Sequence, residues 1–282
     1  MDITPGTSAV VTGGAEGLGY EVARALAGRG SQVTVIDLNP SVAEISVSLG
    51  RGVLGVVGDV GDADDASRAV AAAVEHGGPV DILVNNAARP TWSALEDPLG
   101  KTLSELDDAW RVGVRGTVIC SKLVLPGMMD RSRGHIVNIS TEHVHNCGFP
   151  APVHHDEQLA RCPWRHSPRG PSSPAEEMAV YDATKWALNG LTFNWSKTLH
   201  PYGVQINNFC PGAFADEGMR AYASEREGQY PGWASGLLDR ADVAAAIIAL
   251  IEEKPGRSGD NVGLWCGHPA KLPPPAPYAL GM

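Results

Sequence analysis

Short runs of β-branched residues alternate along the chain with longer Ala-rich runs whose apolar positions recur at helical spacing. Seven short runs predict strands: SAVVT (8–12), QVTVID (32–37), GVLGVV (52–57), DILVN (81–85), HIVNIS (135–140), VQINNF (204–209) and NVGLWC (261–266). The longer runs predict helices at 20–30, 65–78, 103–125, 179–200 and 242–253. Almost continuously apolar strands that alternate with helices are typical of a parallel sheet covered on both faces. We therefore predict an α/β fold: one domain over 1–282 with a doubly wound parallel sheet of about seven strands.

Two segments lack this periodicity. Residues 142–178 are rich in Pro, His and Arg, and a long connection of this kind is usually a lid, a binding loop or disorder. Residues 268–282 form a proline-rich tail. We expect the tail to be extended and to lie on a surface or on a neighbouring subunit.

Composition and charge exclude some classes of partner. The 282-residue chain has 43% hydrophobic residues, a net charge of -10 and a pI near 5.3, which argue against binding nucleic acid or anionic membranes. The longest apolar run, 244–251, is too short to span a bilayer. The start of the chain has no secretory signal, and the five cysteines form no C-x-x-C pair. We expect free thiols and a cytoplasmic protein.

A glycine-rich stretch, TGGAEGLG (12–19), follows the first predicted strand and opens the first helix. The spacing of Gly13, Gly17 and Gly19 allows a sharp turn and a close approach of the backbone to a pyrophosphate. The N–H groups at the start of the helix are then available to that anion. This position in a βαβ unit favours a dinucleotide site over a turn without a ligand.

Acidic residues at the same end of the sheet predict which dinucleotide binds. Asp37 closes the second strand, where a carboxylate accepts hydrogen bonds from the adenosine ribose hydroxyls and repels a 2′-phosphate. Glu16 either adds a second negative charge there or is an ordinary solvated residue. With no Arg or Lys close by in the sequence, these acids favour NAD over NADP.

Tyr181 and Lys185 lie four residues apart in YDATK, on one face of a predicted helix. An ammonium beside a phenol favours the phenolate and lowers its pKa. A tyrosine with a lowered pKa can take up or release a proton near neutral pH. Because Y-x-x-x-K occurs by chance on many helices, the pair alone is weak evidence.

Taken together, the motifs resemble those of the short-chain dehydrogenase/reductase family along nearly the whole chain. The matching pieces are TGGAEGLG (12–19), Asp37, GDV (58–60), NNAA (85–88), HIVNIST (135–141), YDATK (181–185) and PG (211–212). The resemblance implies the Rossmann fold, an NAD(H) or NADP(H) cofactor, and hydride transfer between a carbinol carbon and nicotinamide C4. No metal ion is expected, since hydride transfer in the family needs none.

The resemblance also assigns roles to individual residues. Tyr181 would be the general acid/base, and Lys185 would hold the nicotinamide ribose and depress the pKa of Tyr181. Thr141 stands where the family usually has the catalytic Ser; Ser140 is the alternative, although strand alternation should point it the other way. The residues expected to bind the cofactor are Gly13, Glu16, Gly17, Leu18, Gly19, Asp37, Leu38, Asp59, Val60, Asn86, Ala87, Ala88, Tyr181, Lys185, Pro211, Gly212 and Phe214.

Two more positions depart from the family pattern. Gly113 replaces an Asn that typically helps a water connect the Lys to bulk solvent, so a water would fill the space or the helix would kink there. Asp216 replaces a Thr near the cofactor amide or diphosphate, where an acid should help little. These departures leave rate and direction open.

The segment 142–178 is longer than the usual connection in the family, and it should lie over the substrate end of the cleft. The first interpretation is a substrate-covering loop with Phe149 and Trp164 in the pocket, and the second is a structural segment that packs on a neighbouring subunit. The third is a metal site. Its ligands would come from His143, His145, Cys147, His154, His155, Cys162 and His166.

A second lid candidate is 214–233, whose aromatic and Met side chains fit either a substrate with apolar bulk or ordinary packing on the sheet. Its large apolar residues are Phe214, Met219, Tyr222, Tyr230 and Trp233.

The function expected from these observations is hydride transfer between NAD(H) and a secondary alcohol or ketone. Two alternatives stay open: an NAD-binding sensor or scaffold with little turnover, and a dehydration or epimerisation that returns NAD unchanged. We also expect a homodimer or homotetramer, because the family pairs subunits through the helices equivalent to 103–125 and 179–200. The predicted outer stripe on these helices includes Trp186, Leu191 and Trp195.

Overall fold

The computed structural model describes residues 1–145, 178–228, 233–264 and 272. Seven parallel strands form one sheet in the order β3-β2-β1-β4-β5-β6-β7, which confirms the predicted doubly wound α/β architecture. The strands are β1 (Ser8–Thr12), β2 (Gln32–Asp37), β3 (Val53–Val57), β4 (Ile82–Asn85), β5 (Gly134–Ile139), β6 (Val204–Pro211) and β7 (Asn261–Leu264).

Nine α-helices connect the strands within the described ranges. They are α1 (Gly17–Ala27), α2 (Val42–Leu49), α3 (Ala63–Gly77), α4 (Leu99–Trp110), α5 (Thr117–Asp130), α6 (Ala179–Leu199), α7 (Glu217–Glu225), α8 (Trp233–Gly236) and α9 (Arg240–Glu252). The short helix α2 was not predicted, because it buries only Val42 and Ser46 and so has little amphipathic pattern.

The single helix predicted at 103–125 is wrong in its bounds and in its regularity. Helical structure runs from Leu99 to Asp130, with a π-helical turn at Arg111–Gly116 between α4 and α5. By length and composition this stretch is apolar enough to cross a membrane, although half of its most apolar window is buried inside the protein. Because a core helix passes the same test, the stretch does not change the expectation that the protein has no membrane span.

The two faces of the sheet carry separate hydrophobic cores, as strand alternation requires. Val11 of β1 faces the layer of α1 and α9, while Val10 faces the layer that contains α3 and α5. Leu272, the described residue of the proline-rich tail, packs against the core that contains Val11.

The strand order reverses direction next to β1, which pairs with β2 on one side and with β4 on the other. In open α/β sheets such a switch point opens a crevice at the carboxyl ends of the strands. Here the carboxyl ends of β1 and β4 are Thr12 and Asn85, so the glycine-rich stretch and NNAA meet at one edge.

The predicted apolar stripe on the outer helices is only partly correct. Trp186 is half exposed, but Trp195 is partly buried against the second core, and Leu191 is also partly buried. The exposed large apolar side chains of α4, α5 and α6 are Leu99, Leu103, Trp110, Leu123, Trp186 and Phe193.

Candidate active site

The glycine-rich loop between β1 and α1 is built to approach another group closely. Gly13 has φ +64, and a Cβ there would lie 2.7 Å from Ala87 Cα. Gly17 has φ +62 at the first residue of α1, yet a Cβ there would contact nothing within 4 Å, because the residue opens onto the cleft. The loop therefore needs glycine for its conformation, and the start of α1 is open to an anion.

Asn86 ties this loop to the end of β4. Its amide nitrogen donates hydrogen bonds to the carbonyls of Thr12 at 3.1 Å and Gly13 at 2.7 Å. The Thr12 hydroxyl accepts hydrogen bonds from the backbone N–H groups of Asn86 and Ala87, at 3.0 and 3.1 Å. The Asn86 side chain is therefore used to hold the glycine-rich loop, and Asn86, Ala87 and Ala88 all line the cleft.

Asp37 at the end of β2 is held rigidly by two backbone amides. One carboxylate oxygen accepts from the Ala15 N–H at 2.9 Å, and the other accepts from the Asn39 N–H at 2.9 Å. Next to it, Asp59 accepts a hydrogen bond from the Arg111 guanidinium, which the sequence reading missed because the two residues are far apart in the chain. This end of the cleft therefore combines fixed carboxylates with an arginine that is already paired.

The four predicted catalytic residues meet where β5 ends and α6 begins. Thr141 and Tyr181 line the cleft, and Thr141 is buried. The Lys185 ammonium donates to the Ile139 carbonyl at 2.8 Å and lies 5.2 Å from the centre of the Tyr181 ring. Ser140 also borders the cleft, but its hydroxyl donates to the Lys185 carbonyl at 3.5 Å.

Lys185 is expected to favour the Tyr181 phenolate, and two features of the surroundings oppose that effect. Burial of the phenol, followed by the negative charge of Asp182, raises the pKa of Tyr181 above its ordinary value. Burial also lowers the pKa of Lys185 to about 8, so the ammonium keeps most of its charge near neutral pH. Tyr181 is therefore held as the neutral phenol beside a charged Lys185.

A histidine stands beside these residues at the substrate end of the cleft. His143 Nδ1 lies 2.9 Å from Asp182 Oδ1, and His143 lines the cleft together with Glu142. Although burial favours neutral imidazole, the hydrogen bond and charge of Asp182, with the charge of Glu142, raise the pKa of His143. The sequence predicted His143 as a metal ligand or as part of a loop that lines the substrate pocket, but it did not predict the contact with Asp182.

The departure at Gly113 coincides with the π-helical turn. Gly113 is buried at the middle of Arg111–Gly116, and its carbonyl accepts a hydrogen bond from the Thr117 hydroxyl at 2.8 Å. A Cβ at Gly113 would lie 3.5 Å from Thr184 Oγ1, an ordinary contact. A side chain would therefore fit at position 113, and the departure from the family pattern lies within a π-turn. Turns of this kind inside α-helices are frequent at functional sites.

The contacts of Asp216 explain the second departure, an acid where the family usually has a Thr. One carboxylate oxygen caps α7 by accepting from the Met219 N–H at 2.8 Å, and the other accepts from Arg240 Nη2 at 2.8 Å. The Arg240 guanidinium lies 5.5 Å from the centre of the Phe214 ring. The negative charge of Asp216 is therefore paired with the Arg240 guanidinium, and the carboxylate fixes the start of α7, the helix that carries Met219 and Tyr222.

A row of buried polar side chains lies below the catalytic residues and was missed from the sequence. The Asn138 amide nitrogen donates to Thr192 Oγ1 at 2.9 Å, and the Thr192 hydroxyl donates to Asn208 Oδ1 at 2.7 Å. Asn208 in turn donates to Asn189 Oδ1 at 2.8 Å. These bonds tie β5 and β6 to α6 in the turns that follow Lys185.

One cleft of about 640 Å³, a size typical of small-molecule sites, is lined by the glycine-rich loop, the acidic residues Asp37 and Asp216, His143 and the predicted catalytic residues. The predicted residues that line it are Gly13, Glu16, Gly17, Leu18, Asp37, Leu38, Asp59, Val60, Asn86, Ala87, Ala88, Ser140, Thr141, Tyr181, Lys185, Pro211, Gly212 and Phe214. Gly19 does not line the cleft; a Cβ there would lie 2.2 Å from the Gly13 carbonyl oxygen, so its role is close packing. Lining residues that sequence reasoning did not single out include Arg89, Trp92, Arg111, Met178 and Arg240.

Several predictions fall outside the described residues. Of the seven candidate metal ligands, only the His143 side chain is described, and it pairs with Asp182. Within 1–145, 178–228 and 233–264, no three His, Cys, Asp or Glu side chains converge on a common point. Phe149, Trp164 and Tyr230 also lie outside these ranges, whereas Phe214, Met219 and Tyr222 of the second lid candidate do line the cleft.

Several known proteins with a similar sequence are dehydrogenases. The chain is 28% identical over 258 residues to 2-(S)-hydroxypropyl-CoM dehydrogenase 3 from Xanthobacter autotrophicus, covering 86% of this chain and 89% of the relative. It is 30% identical to trans-4-hydroxycyclohexanecarboxylate dehydrogenase from Sinomonas cyclohexanicum, covering 73% and 71%. It is 30% identical to gluconate 5-dehydrogenase from Gluconobacter oxydans, covering 79% and 77%.

The fold comparison and the family comparison agree with this result. A solved structure described as a short chain dehydrogenase/reductase family protein superimposes with a TM-score of 0.72 at 26% identity, covering 95% of this chain and 98% of the other. The family described as short chain dehydrogenase matches residues 7–151 and 167–228. The chain therefore belongs to the short-chain dehydrogenase family of oxidoreductases.

Proposed function

We propose that the protein is an NAD-dependent oxidoreductase that moves hydride between NAD(H) and a secondary alcohol or its ketone. The observation that carries this proposal is the placement of Thr141 and Tyr181 on one cleft, with Lys185 behind them at the end of β5. In this arrangement one carbinol oxygen would hydrogen-bond to Thr141 and give up its proton to Tyr181.

The residues of the cleft fit a nicotinamide dinucleotide. The open start of α1 at Gly17 would bind the pyrophosphate, and the backbone of Asn86 and Ala87 would line the adenosine side. Lys185 would hold the nicotinamide ribose, and Pro211 to Phe214 would border the nicotinamide. When bound, the cofactor supplies the hydride acceptor at nicotinamide C4.

The charges at the adenosine end support NAD over NADP. Asp37 keeps its carboxylate at the end of β2 through two backbone hydrogen bonds, and Glu16 and Asp59 border the same region. Each arginine that lines the cleft within the described residues is paired with an acid: Arg89 with Asp108, Arg111 with Asp59 and Arg240 with Asp216. A 2′-phosphate would therefore meet a fixed negative charge and a cation that is already paired.

The chain's own residues divide the chemistry between them. Thr141 would bind the substrate oxygen, since the Ser140 hydroxyl is engaged with the Lys185 carbonyl. Tyr181 would accept the hydroxyl proton in oxidation and return it in reduction. Lys185, fixed by Ile139, would supply the positive charge that the developing phenolate needs against the effect of burial.

The substrate end of the cleft favours a compound with apolar bulk. Pro90, Trp92, Met178, Met219 and Tyr222 border it with apolar surface. The names of the three relatives given above all describe dehydrogenases of hydroxy compounds, in agreement with a carbinol substrate.

We further propose a cytoplasmic homodimer or homotetramer. Buried Cys120 and Cys210 are free thiols, as a reducing compartment favours. The half-exposed Trp110, Trp186 and Phe193 on α4 and α6 supply an apolar surface that a second copy would cover.

The test is a spectrophotometric assay of NAD reduction with a panel of secondary alcohols, run in parallel with NADP. The proposal expects reduction of NAD by at least one alcohol, and loss of that activity by at least about 100-fold in Tyr181→Phe. Tyr202→Phe is the matched control, because Tyr202 is exposed just after α6. A cleft that binds NADH but never turns over would instead support a sensor or scaffold.

A further inference from the structure

Two contacts connect the end of β5 to the start of α6, the two segments that carry Thr141 and Tyr181. On the cofactor side, the Lys185 ammonium donates to the Ile139 carbonyl at 2.8 Å. On the substrate side, His143 Nδ1 lies 2.9 Å from Asp182 Oδ1. Thr141 lies between Ile139 and His143 in the chain, and Tyr181 directly precedes Asp182.

The substrate-side contact is sheltered from solvent. The side chains of His143 and Asp182 are only 14% and 20% exposed. Charges in such a place are screened far less than surface charges, and the hydrogen bond between them is charge-assisted. The contact is therefore screened less than an ion pair between two exposed side chains, such as Lys254 with Asp2.

Each partner is coupled closely to one catalytic residue. His143 belongs to the 3₁₀ turn Glu142–His145, which is folded back onto Thr141: the His143 N–H approaches Thr141 Oγ1 at 3.5 Å, and the Val144 N–H donates to the Thr141 carbonyl at 3.3 Å. Asp182 follows Tyr181 in the first turn of α6. A shift of His143 relative to Asp182 would consequently shift Thr141 relative to Tyr181.

We propose, on the basis of the function proposed above, that His143 and Asp182 are positioning residues that hold the Thr141 and Tyr181 hydroxyls at the separation required for one substrate oxygen. Thr141 and Tyr181 are joined by a long connection, so their chain neighbours do not fix this separation. The His143–Asp182 contact joins two residues that are 39 positions apart, and it fixes this separation directly. The energetic reason is that misplacing reacting groups by about 1 Å can slow a reaction roughly 100-fold.

Other groups around His143 must be considered for the pH dependence. Its own turn contributes Glu142, and α6 contributes Asp182, Tyr181 and Lys185. Among the described elements packed against the turn, β6 and β7 carry no charged side chain, and β6 contributes only the Cys210 thiol. Asp182 and Glu142 both favour the charged imidazolium, so His143 stays charged to a higher pH than an ordinary histidine.

The experiment compares His143→Gln, Asp182→Asn and the double variant, with His76→Gln as the control. His76 hydrogen-bonds the Gly52 carbonyl outside the cleft. Positioning predicts that kcat per NADH-binding site falls about tenfold in each single variant while KM for NAD stays unchanged, and that the double variant is no slower than the singles. It also predicts that wild-type kcat declines as pH rises past the ordinary histidine value, and that this decline is absent in His143→Gln, which leaves the charge of Asp182 beside Tyr181 in place. Unchanged kcat and an unchanged pH profile in all variants would overturn the proposal.

Hydrogen exchange provides a readout that does not depend on activity. Peptides covering 139–145 and 179–185 should both exchange faster in His143→Gln and Asp182→Asn, but not in His76→Gln. If the wild type oxidises no alcohol, the proposed function fails, and this result still decides on the pair. Exchange that is unchanged in both segments would overturn the positioning role, whichever enzyme the protein turns out to be.

Discussion

The Lys185 ammonium lies 5.2 Å from the centre of the Tyr181 ring and is fixed there by its hydrogen bond to the Ile139 carbonyl. Replacing Lys185 with Met should therefore separate catalysis from stability. We expect kcat to fall at least about 100-fold, because the phenolate loses its nearest positive charge. The free energy of unfolding should change by only about 1 kcal/mol, since Met fills the space and the main loss is the donor to Ile139. Steady-state kinetics and urea unfolding measure the two effects. Full activity in Lys185→Met would remove Lys185 from the mechanism.

Asp37 should decide between NAD and NADP. Asp37→Asn keeps one oxygen, which can accept from one of the two backbone N–H groups, loses the second acceptor, and removes the negative charge that repels a 2′-phosphate. The ratio of kcat/KM for NADP to that for NAD should rise at least about tenfold, which corresponds to about 1.4 kcal/mol. The control is Glu44→Gln, an exposed residue of α2 that should leave the ratio unchanged. A wild-type enzyme that already prefers NADP would refute this reading of Asp37.

Asp216 should act on substrate binding more than on the chemical step. Asp216→Ala removes the N-cap of α7 and the partner of Arg240, and loss of an N-cap costs about 1 kcal/mol of helix stability. Because α7 carries Met219 and Tyr222, KM for the alcohol should rise about fivefold with a smaller change in kcat.

Asp216→Thr separates the cap from the charge, since Thr is also a good N-cap residue. Hydrogen exchange over 217–225 should be faster in Asp216→Ala and close to wild type in Asp216→Thr. Equal loosening in both variants would mean that the ion pair with Arg240, not the cap, holds the helix.

A buried histidine far from the reacting groups should control stability in acid. Burial lowers the pKa of His135 to about 3, whereas the unfolded chain titrates near the ordinary value of 6.5. Below pH 6.5 the unfolded state binds a proton that the native state does not, so stability falls as pH decreases from 6.5 towards 3. The slope from this residue is about 1.4 kcal/mol per pH unit.

The measurement is urea unfolding of wild type and His135→Gln at pH 7 and pH 5. Gln can still hydrogen-bond the Asn207 amide, which lies 3.1 Å from His135 Nε2. Between these two pH values the wild type should lose about 2 kcal/mol more than the variant. Equal losses would show that His135 becomes protonated without unfolding.

The fold could be predicted well from the sequence because the strands are short, nearly uniform apolar runs. All seven strands lie within two residues of the predicted ends. Helix α2 was missed because it is short and mostly exposed. The π-turn at Arg111–Gly116 was anticipated only as a kink at Gly113, since hydrogen-bond spacing within a helix has no simple sequence signal.

Most of the residues that line the cleft could also be located, because glycines and strand ends carry local signals. Contacts that join distant parts of the chain could not be located. Neither the pairing of His143 with Asp182 nor that of Asp59 with Arg111 follows from spacing, because only the folded sheet brings these residues together. The effect of burial on the pKa of Tyr181 could not be predicted for a related reason: Lys185 is visible in the sequence, whereas the burial of the phenol is not.

If Tyr181 and Thr141 activate a carbinol for hydride transfer to nicotinamide, the transferred hydrogen can be followed directly. The measurement uses the best alcohol of the panel, deuterated at the carbinol carbon, followed by mass spectrometry of the cofactor and the product. We expect the deuterium to appear in the reduced nicotinamide, and Tyr181→Phe to abolish this transfer. Product formation with the cofactor unlabelled and still oxidised would rule out net hydride transfer, and would identify a dehydration or an epimerisation instead.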